Sequence, residues 1–169
     1  MALDVGILRS SFNLALERQP NLTHVFYEEL FARHPAARSL FGSTDMAAQE
    51  TMLAEALVAV MDHLEDAPWL QSTLAGLGAR HAGYGVTGPM YDWVGESLIT
   101  TLSRANGEDW TADHTARWQE AYGAIVPMML AGYPDGASVA AGATNEAVRE
   151  GPLRRLLYFF GRARKRAAS

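Results

Sequence analysis

Three side chains carry most of the chemistry this sequence offers: His81, Tyr27 and Gln49. His81 lies four residues after Leu77 and seven after Leu74, so its imidazole shares the apolar face of a helix. A histidine alone in that position is ordinarily a partly buried core residue with a satisfied hydrogen bond. Gln49 stands one turn before Leu53, on the line that continues through Leu57 and Val60, which aims an amide into the core. Alone, it reads as a boundary glutamine near a helix start. Tyr27 shares a face with Leu30 and Phe31, where a tyrosine usually hydrogen-bonds a nearby carbonyl.

Together the three say more. One imidazole and two uncharged hydrogen-bonding groups on otherwise apolar helix faces are the inventory of a haem pocket, which needs an apolar slot, one neutral imidazole for iron and a few polar groups opposite it. Other chemistries fit poorly. Zinc wants about three or four ligands, and His24, His34, His63 and His114 form neither His-Xaa-Xaa-His nor His-Glu-Xaa-Xaa-His spacing. The sequence has no cysteine, which excludes disulfides, thiolate catalysis, iron–sulfur clusters and cysteine-ligated zinc. Neither a Gly-Xaa-Ser-Xaa-Gly motif nor a phosphate-binding glycine loop occurs.

The elements that must position these residues read as all-α. Apolar residues recur at helical spacing in Val5, Leu8, Phe12 and Leu16, in Leu22, Phe26 and Leu30, and in Leu53, Leu57, Val60 and Leu64. Leu70, Leu74 and Leu77 continue the pattern, as do Val94, Leu98 and Leu102, and Trp118, Ile125 and Met129. Breaks fall at Pro20, Pro35, the Gly-Ser-Thr-Asp run 42–45, Pro68, Gly85 to Pro89, and Asn106-Gly107, predicting about seven helices. From Pro134 the composition shifts to Gly, Ala, Ser and Asp. The organisation expected is a compact domain over 1–133, a flexible linker over 134–148 and a tail over 149–169.

Charge divides the chain in the same place. Residues 1–148 hold 18 acidic and 7 basic side chains, a net of −11, whereas residues 149–169 hold one acid against 7 bases, a net of +6. So acidic a body lacks the clustered Lys and Arg that phosphate contacts need, so nucleic acid is not an expected partner. The first residues, MALDVGILRS, show no basic region followed by an apolar block, and no apolar run approaches the roughly 20 residues of a bilayer span, so a soluble cytoplasmic protein is expected. At 169 residues there is no room for a flavin or nicotinamide domain beside the first, and redox turnover is expected to draw on an external reductase.

The run VFYEELFARHPAARSLFG resembles the second and third helices of bacterial single-domain haemoglobins and of the globin domain of flavohaemoglobins. LGARHAGYGV followed by MYDWVGESLI resembles their proximal-histidine segment and the next helix, and those of neuroglobins. Spacing agrees as well: Tyr27 precedes Phe41 by 14 residues, Gln49 precedes His81 by 32, and Tyr91 follows His81 by 10. The resemblance runs from about Leu3 to Tyr133 and implies a three-over-three globin sandwich enclosing haem b. It makes His81 the axial ligand, puts Phe41 against the haem, places Tyr27, Gln49 and Leu53 on the distal side, and gives Leu77, Val86, Tyr91 and Val94 the proximal wall and haem edge.

The same resemblance implies function. Tyrosine, glutamine and leucine form a flavohaemoglobin-like distal set, whereas neuroglobins and animal globins typically have histidine where Gln49 stands. Glutamine ligates iron poorly, so the ferrous iron is expected to be five-coordinate and open to dioxygen, nitric oxide or carbon monoxide. The implied role is oxygen storage, delivery or sensing. The alternative is nitric oxide dioxygenase activity with a separate reductase. A haem-free globin-like sensor is expected to lack the proximal histidine or to block the pocket, and His81 with Tyr27 and Gln49 argues against it. One position departs from the pattern: where flavohaemoglobins carry a glutamate that hydrogen-bonds toward the proximal histidine, this chain has Tyr133.

The tail interleaves Leu153, Leu156, Leu157, Phe159 and Phe160 with Arg154, Arg155, Arg162, Arg164, Lys165 and Arg166. A basic amphipathic segment of this kind suits peripheral contact with the inner membrane face or a partner helix, and equally suits pairing with the protein's own acidic body.

Overall fold

The computed structural model describes residues 3–134. The tail expected over 149–169 lies outside the described residues, as does the expected linker beyond its first residue.

Among the described residues there are six α-helices: α1 (Val5–Arg18), α2 (Leu22–Arg33), α3 (Met46–Asp62), α4 (Ala67–Gly83), α5 (Met90–Asn106) and α6 (Ala112–Leu130). Two 3-10 segments, Pro35–Leu40 and Gly107–Asp109, complete the set. The about seven helices expected are thus six, with the Pro35 break opening a 3-10 helix. Proline at its start lacks only an N–H that a first turn leaves unpaired anyway. Pro68 likewise sits in the first turn of α4.

Short polar side chains start the helices. Asp4 accepts from the Ile7 N–H at 3.1 Å, Asp66 from the Trp69 N–H at 3.1 Å, and Thr111 with His114 forms a reciprocal cap on α6. Gly107 ends α5 with φ +60, a backbone conformation most side chains avoid.

Packing follows the apolar faces. α2, α5 and α6 form one layer, and α1, α3 and α4 rest on it: α1 on α5 and α6, α3 on α2, and α4 on α6. This is the three-over-three sandwich. The α4–α6 crossing is very close, since a Cβ on Gly78 would lie 1.7 Å from the Met129 carbonyl oxygen and one on Gly132 1.8 Å from that of Ala75. Buried polar groups tie α1 to the α5–α6 layer. The Trp118 indole donates to Ser11 Oγ at 2.9 Å, and the Asn106 amide donates to the Ser11 carbonyl at 3.1 Å.

The core divides in two. One cluster is built on Leu8, Phe12, Phe26, Tyr27, Leu30, Phe31, Leu98, Leu102 and Trp118. The other is built on Leu70, Leu74, Tyr91, Met129 and Tyr133. Val60 of α3 packs against both. Apolar side chains on α3 and α4, among them Leu53, Leu57, Val60 and Leu77, stay only half-buried.

Candidate functional site

The first side of the site forms where α2, the 3-10 helix and α3 meet. Tyr27 is buried, with Phe26 edge-on at 5.0 Å and Phe41 edge-on at 5.4 Å between ring centroids. Asp45 caps α3 by accepting from the Ala47 N–H at 3.0 Å, which sets the first turn that carries Gln49. From there Gln49 Nε2 donates to the Tyr27 hydroxyl oxygen at 2.9 Å. Leu53, one turn further, packs on the same cluster, and so does Val94 of α5.

Burial pushes the Tyr27 hydroxyl up to about 12, with the Gln49 bond acting in the opposite direction. It therefore keeps its proton at physiological pH. Because Gln49 donates to the Tyr27 oxygen, the bond between them does not use Tyr27's own proton, and Gln49 has a second N–H. Outside this pair, His24 Nδ1 lies 2.9 Å from Glu50 Oε1 and links α2 to α3 beside Gln49.

The second side is built from α4, the turn after it, and α5 and α6. His81 Nδ1 lies 2.9 Å from the Leu77 carbonyl oxygen one turn earlier in α4. A carbonyl only accepts, so the proton sits on Nδ1 and the lone pair on Nε2. Burial holds the imidazole below its ordinary range against the effect of the Leu77 bond, and the Arg80 charge adds to the depression. The ring is half-buried. Tyr91 lies beside it, with centroids 6.3 Å apart and planes inclined by 26°.

Gly85, with φ +82, turns the chain out of α4, and the Val86 N–H donates to the His81 carbonyl at 3.0 Å. The Tyr133 hydroxyl donates to the Val86 carbonyl at 2.9 Å and lies 3.2 Å from the Tyr91 hydroxyl. The Tyr122 hydroxyl donates to the Tyr91 carbonyl at 2.6 Å.

The nine residues singled out in the sequence thus fall into two groups. Tyr27, Phe41, Gln49, Leu53 and Val94 stand with the first cluster, and Leu77, His81, Val86 and Tyr91 with the second. Val94, grouped by resemblance with the proximal wall and haem edge, packs on the cluster that holds Tyr27. Sequence reasoning did not find Val60 at the divide or Tyr122 beneath Tyr91. Tyr122 lies four residues after Trp118 and seven before Met129, so its place on the apolar line of α6 was the available signal. Among the described residues no three His, Cys, Asp or Glu side chains converge as a metal cluster, and no helix is long and apolar enough to cross a membrane.

Comparison with known proteins agrees with this architecture. Residues 24–129 match the globin family. The flavohemoprotein of Bacillus subtilis is 25% identical over 128 residues, covering 75% of this chain and 32% of its own length. That of Vibrio cholerae is 26% identical over 120 residues, covering 70% and 30%. The chain spans about a third of the length of these curated relatives. Among solved structures, an engineered RmaNOD carbene transferase, named for a nitric oxide dioxygenase of Rhodothermus marinus, superposes with a TM-score of 0.64 at 26% identity, covering 74% of this chain and 87% of the other. With six helices in two layers, a divided core and a match across most of the described residues, the chain belongs to the globin family.

Proposed function

We propose that this chain binds haem b through His81 and serves as a reversible dioxygen-binding protein for oxygen storage, delivery or sensing. The observation that carries the reading is the state of His81: its Nδ1–H is committed to the Leu77 carbonyl, which leaves Nε2 as a neutral donor for iron. The residues present suit the group. Phe41, Leu53, Leu77, Val86 and Val94 supply apolar walls, Tyr91 flanks the histidine, and Tyr27 and Gln49 supply hydrogen-bond donors across the divide in the core.

Haem, if held there by His81, would supply an iron able to take a diatomic gas. The chain's own part is to hold that ligand neutral, to keep the slot apolar, and to aim donors at the developing partial negative charge of dioxygen. Two such donors in a dry pocket slow ligand release, each contributing roughly 1 kcal/mol or more. Gln49 is already held by Tyr27 through its amide nitrogen.

A second reading, nitric oxide dioxygenase turnover with a separate reductase, rests on the names of the relatives: flavohemoproteins and a nitric oxide dioxygenase. Stopped-flow mixing separates the two. Slow oxygen release with little turnover when nitric oxide and an added flavin reductase are supplied supports the binding role. Fast, repeated nitrate formation under the same conditions supports the enzyme, and failure of the protein to take up haem contradicts both.

A further inference from the structure

Tyr133, near the end of the described chain, touches neither Tyr27 nor Gln49, and its hydroxyl makes no hydrogen bond with His81. Its ring is buried in the second cluster, and its hydroxyl sits between two oxygens, the Val86 carbonyl at 2.9 Å and the Tyr91 hydroxyl at 3.2 Å. The directions of these bonds follow from the groups. A carbonyl only accepts, so Tyr133 spends its one proton on Val86, and the Tyr91 hydroxyl must then donate to Tyr133. The relay runs Tyr91 to Tyr133 to Val86 and contains no charge.

Both ends of that relay flank His81. Val86 donates its N–H to the His81 carbonyl, and the Tyr91 ring lies against the imidazole. Tyr91 is itself held from below, because Tyr122 donates to its carbonyl. The turn after α4 is short and contains Gly85, and the Tyr133 bond fastens it to the residues just after α6.

We propose that Tyr133 is a positioning residue for His81: by clamping Val86 and Tyr91 through one uncharged hydroxyl it fixes the orientation of the imidazole. The proposal rests on the reading of His81 as the iron ligand, but the clamp itself is a property of the polypeptide and is measurable separately. The clamp brings no carboxylate to His81 and leaves the Leu77 carbonyl as the acceptor of its proton, so the imidazole stays a neutral ligand rather than one drawn toward imidazolate.

The test uses the full-length protein with Tyr133→Phe, which keeps the ring and removes the clamp, and Tyr91→Phe, which removes only the upper bond. Two readouts are taken: amide hydrogen exchange over residues 82–91, and the iron–histidine stretching band of the ferrous protein. Tyr133→Phe is expected to speed exchange at Val86 roughly 5–20-fold and to shift or broaden the iron–histidine band. Tyr91→Phe is expected to perturb the band while leaving Val86 exchange near the wild-type rate. Tyr133→Phe with both readouts unchanged would overturn the proposal, and so would Tyr91→Phe speeding Val86 exchange as much as Tyr133→Phe does. Absence of any haem band would instead remove the reading of His81, with the exchange data still deciding whether Tyr133 clamps the turn.

Discussion

The Gln49 side-chain amide donates to the Tyr27 hydroxyl oxygen at 2.9 Å, joining the first turn of α3 to the middle of α2. The direction of that bond matters more than its existence, since it leaves the tyrosine proton free for a ligand and keeps the amide from swinging away. Tyr27→Phe therefore removes a donor and also loosens Gln49. Oxygen dissociation measured by stopped flow should accelerate by about 10–100-fold in Tyr27→Phe and by a smaller factor, about 3–10-fold, in Gln49→Leu. The double variant should fall short of the product of the two, because the residues act as one unit. Independent, multiplicative effects would show that the pair is not coupled.

The α4–α6 crossing makes a second prediction. Gly78 lies three residues before His81, and a Cβ there would meet the Met129 carbonyl at 1.7 Å and its carbon at 2.5 Å, both backbone atoms that cannot swing aside. Gly78→Ala must push α4 off α6. Thermal denaturation should show a loss of about 1–3 kcal/mol, a fall in Tm on the order of 5–10 °C. Haem retention should weaken in step, because the displaced helix carries His81. A variant as stable as the wild type would mean that the two helices are further apart than described.

The link between α2 and α3 should depend on pH. The hydrogen bond and charge of Glu50, with a smaller effect of Glu28, raise His24 above its ordinary value, and burial slightly opposes them. A group whose folded value is raised stabilises the fold at pH below its unfolded value, and that contribution disappears as pH rises through the folded one. His24→Ala should therefore lower the urea midpoint at about pH 5.5 and leave it unchanged near pH 9. The effect should be small and salt-sensitive, since the ring is exposed. A deficit that grows toward high pH would contradict this pairing.

Much of this architecture is visible in the sequence because its signals are local. Pro20, Pro35 and Asn106-Gly107 mark helix ends through the backbone they forbid or permit, and the spacing of Leu53, Leu57 and Val60 marks a face whatever packs on it. His81, Tyr27 and Gln49 stand out because polar side chains on apolar lines need a reason.

What stays hidden is relational. Gly78 shares the line of Leu70 and Leu74 that Gly76 is off, but only the approach of Met129 shows that a glycine is needed there for α6 to close on α4. Tyr133 reads in sequence as a departure from a pattern, and its bond to Val86, 47 residues away, depends on how α6 crosses α4. The segment Pro35–Leu40 reads in sequence as a helix, but a proline break does not say whether an α-helix or a 3-10 helix follows it.

The most direct test of the central claim is the absorption spectrum of His81→Ala beside the wild type, recorded ferric, dithionite-reduced and under carbon monoxide. With His81 as the ligand of iron, the wild type should give one broad visible band on reduction, converting to a sharp carbonyl Soret band, and the variant should lose or alter both. Identical spectra in the two proteins would contradict His81 as the ligand, and split visible bands in the reduced wild type would contradict an open distal side.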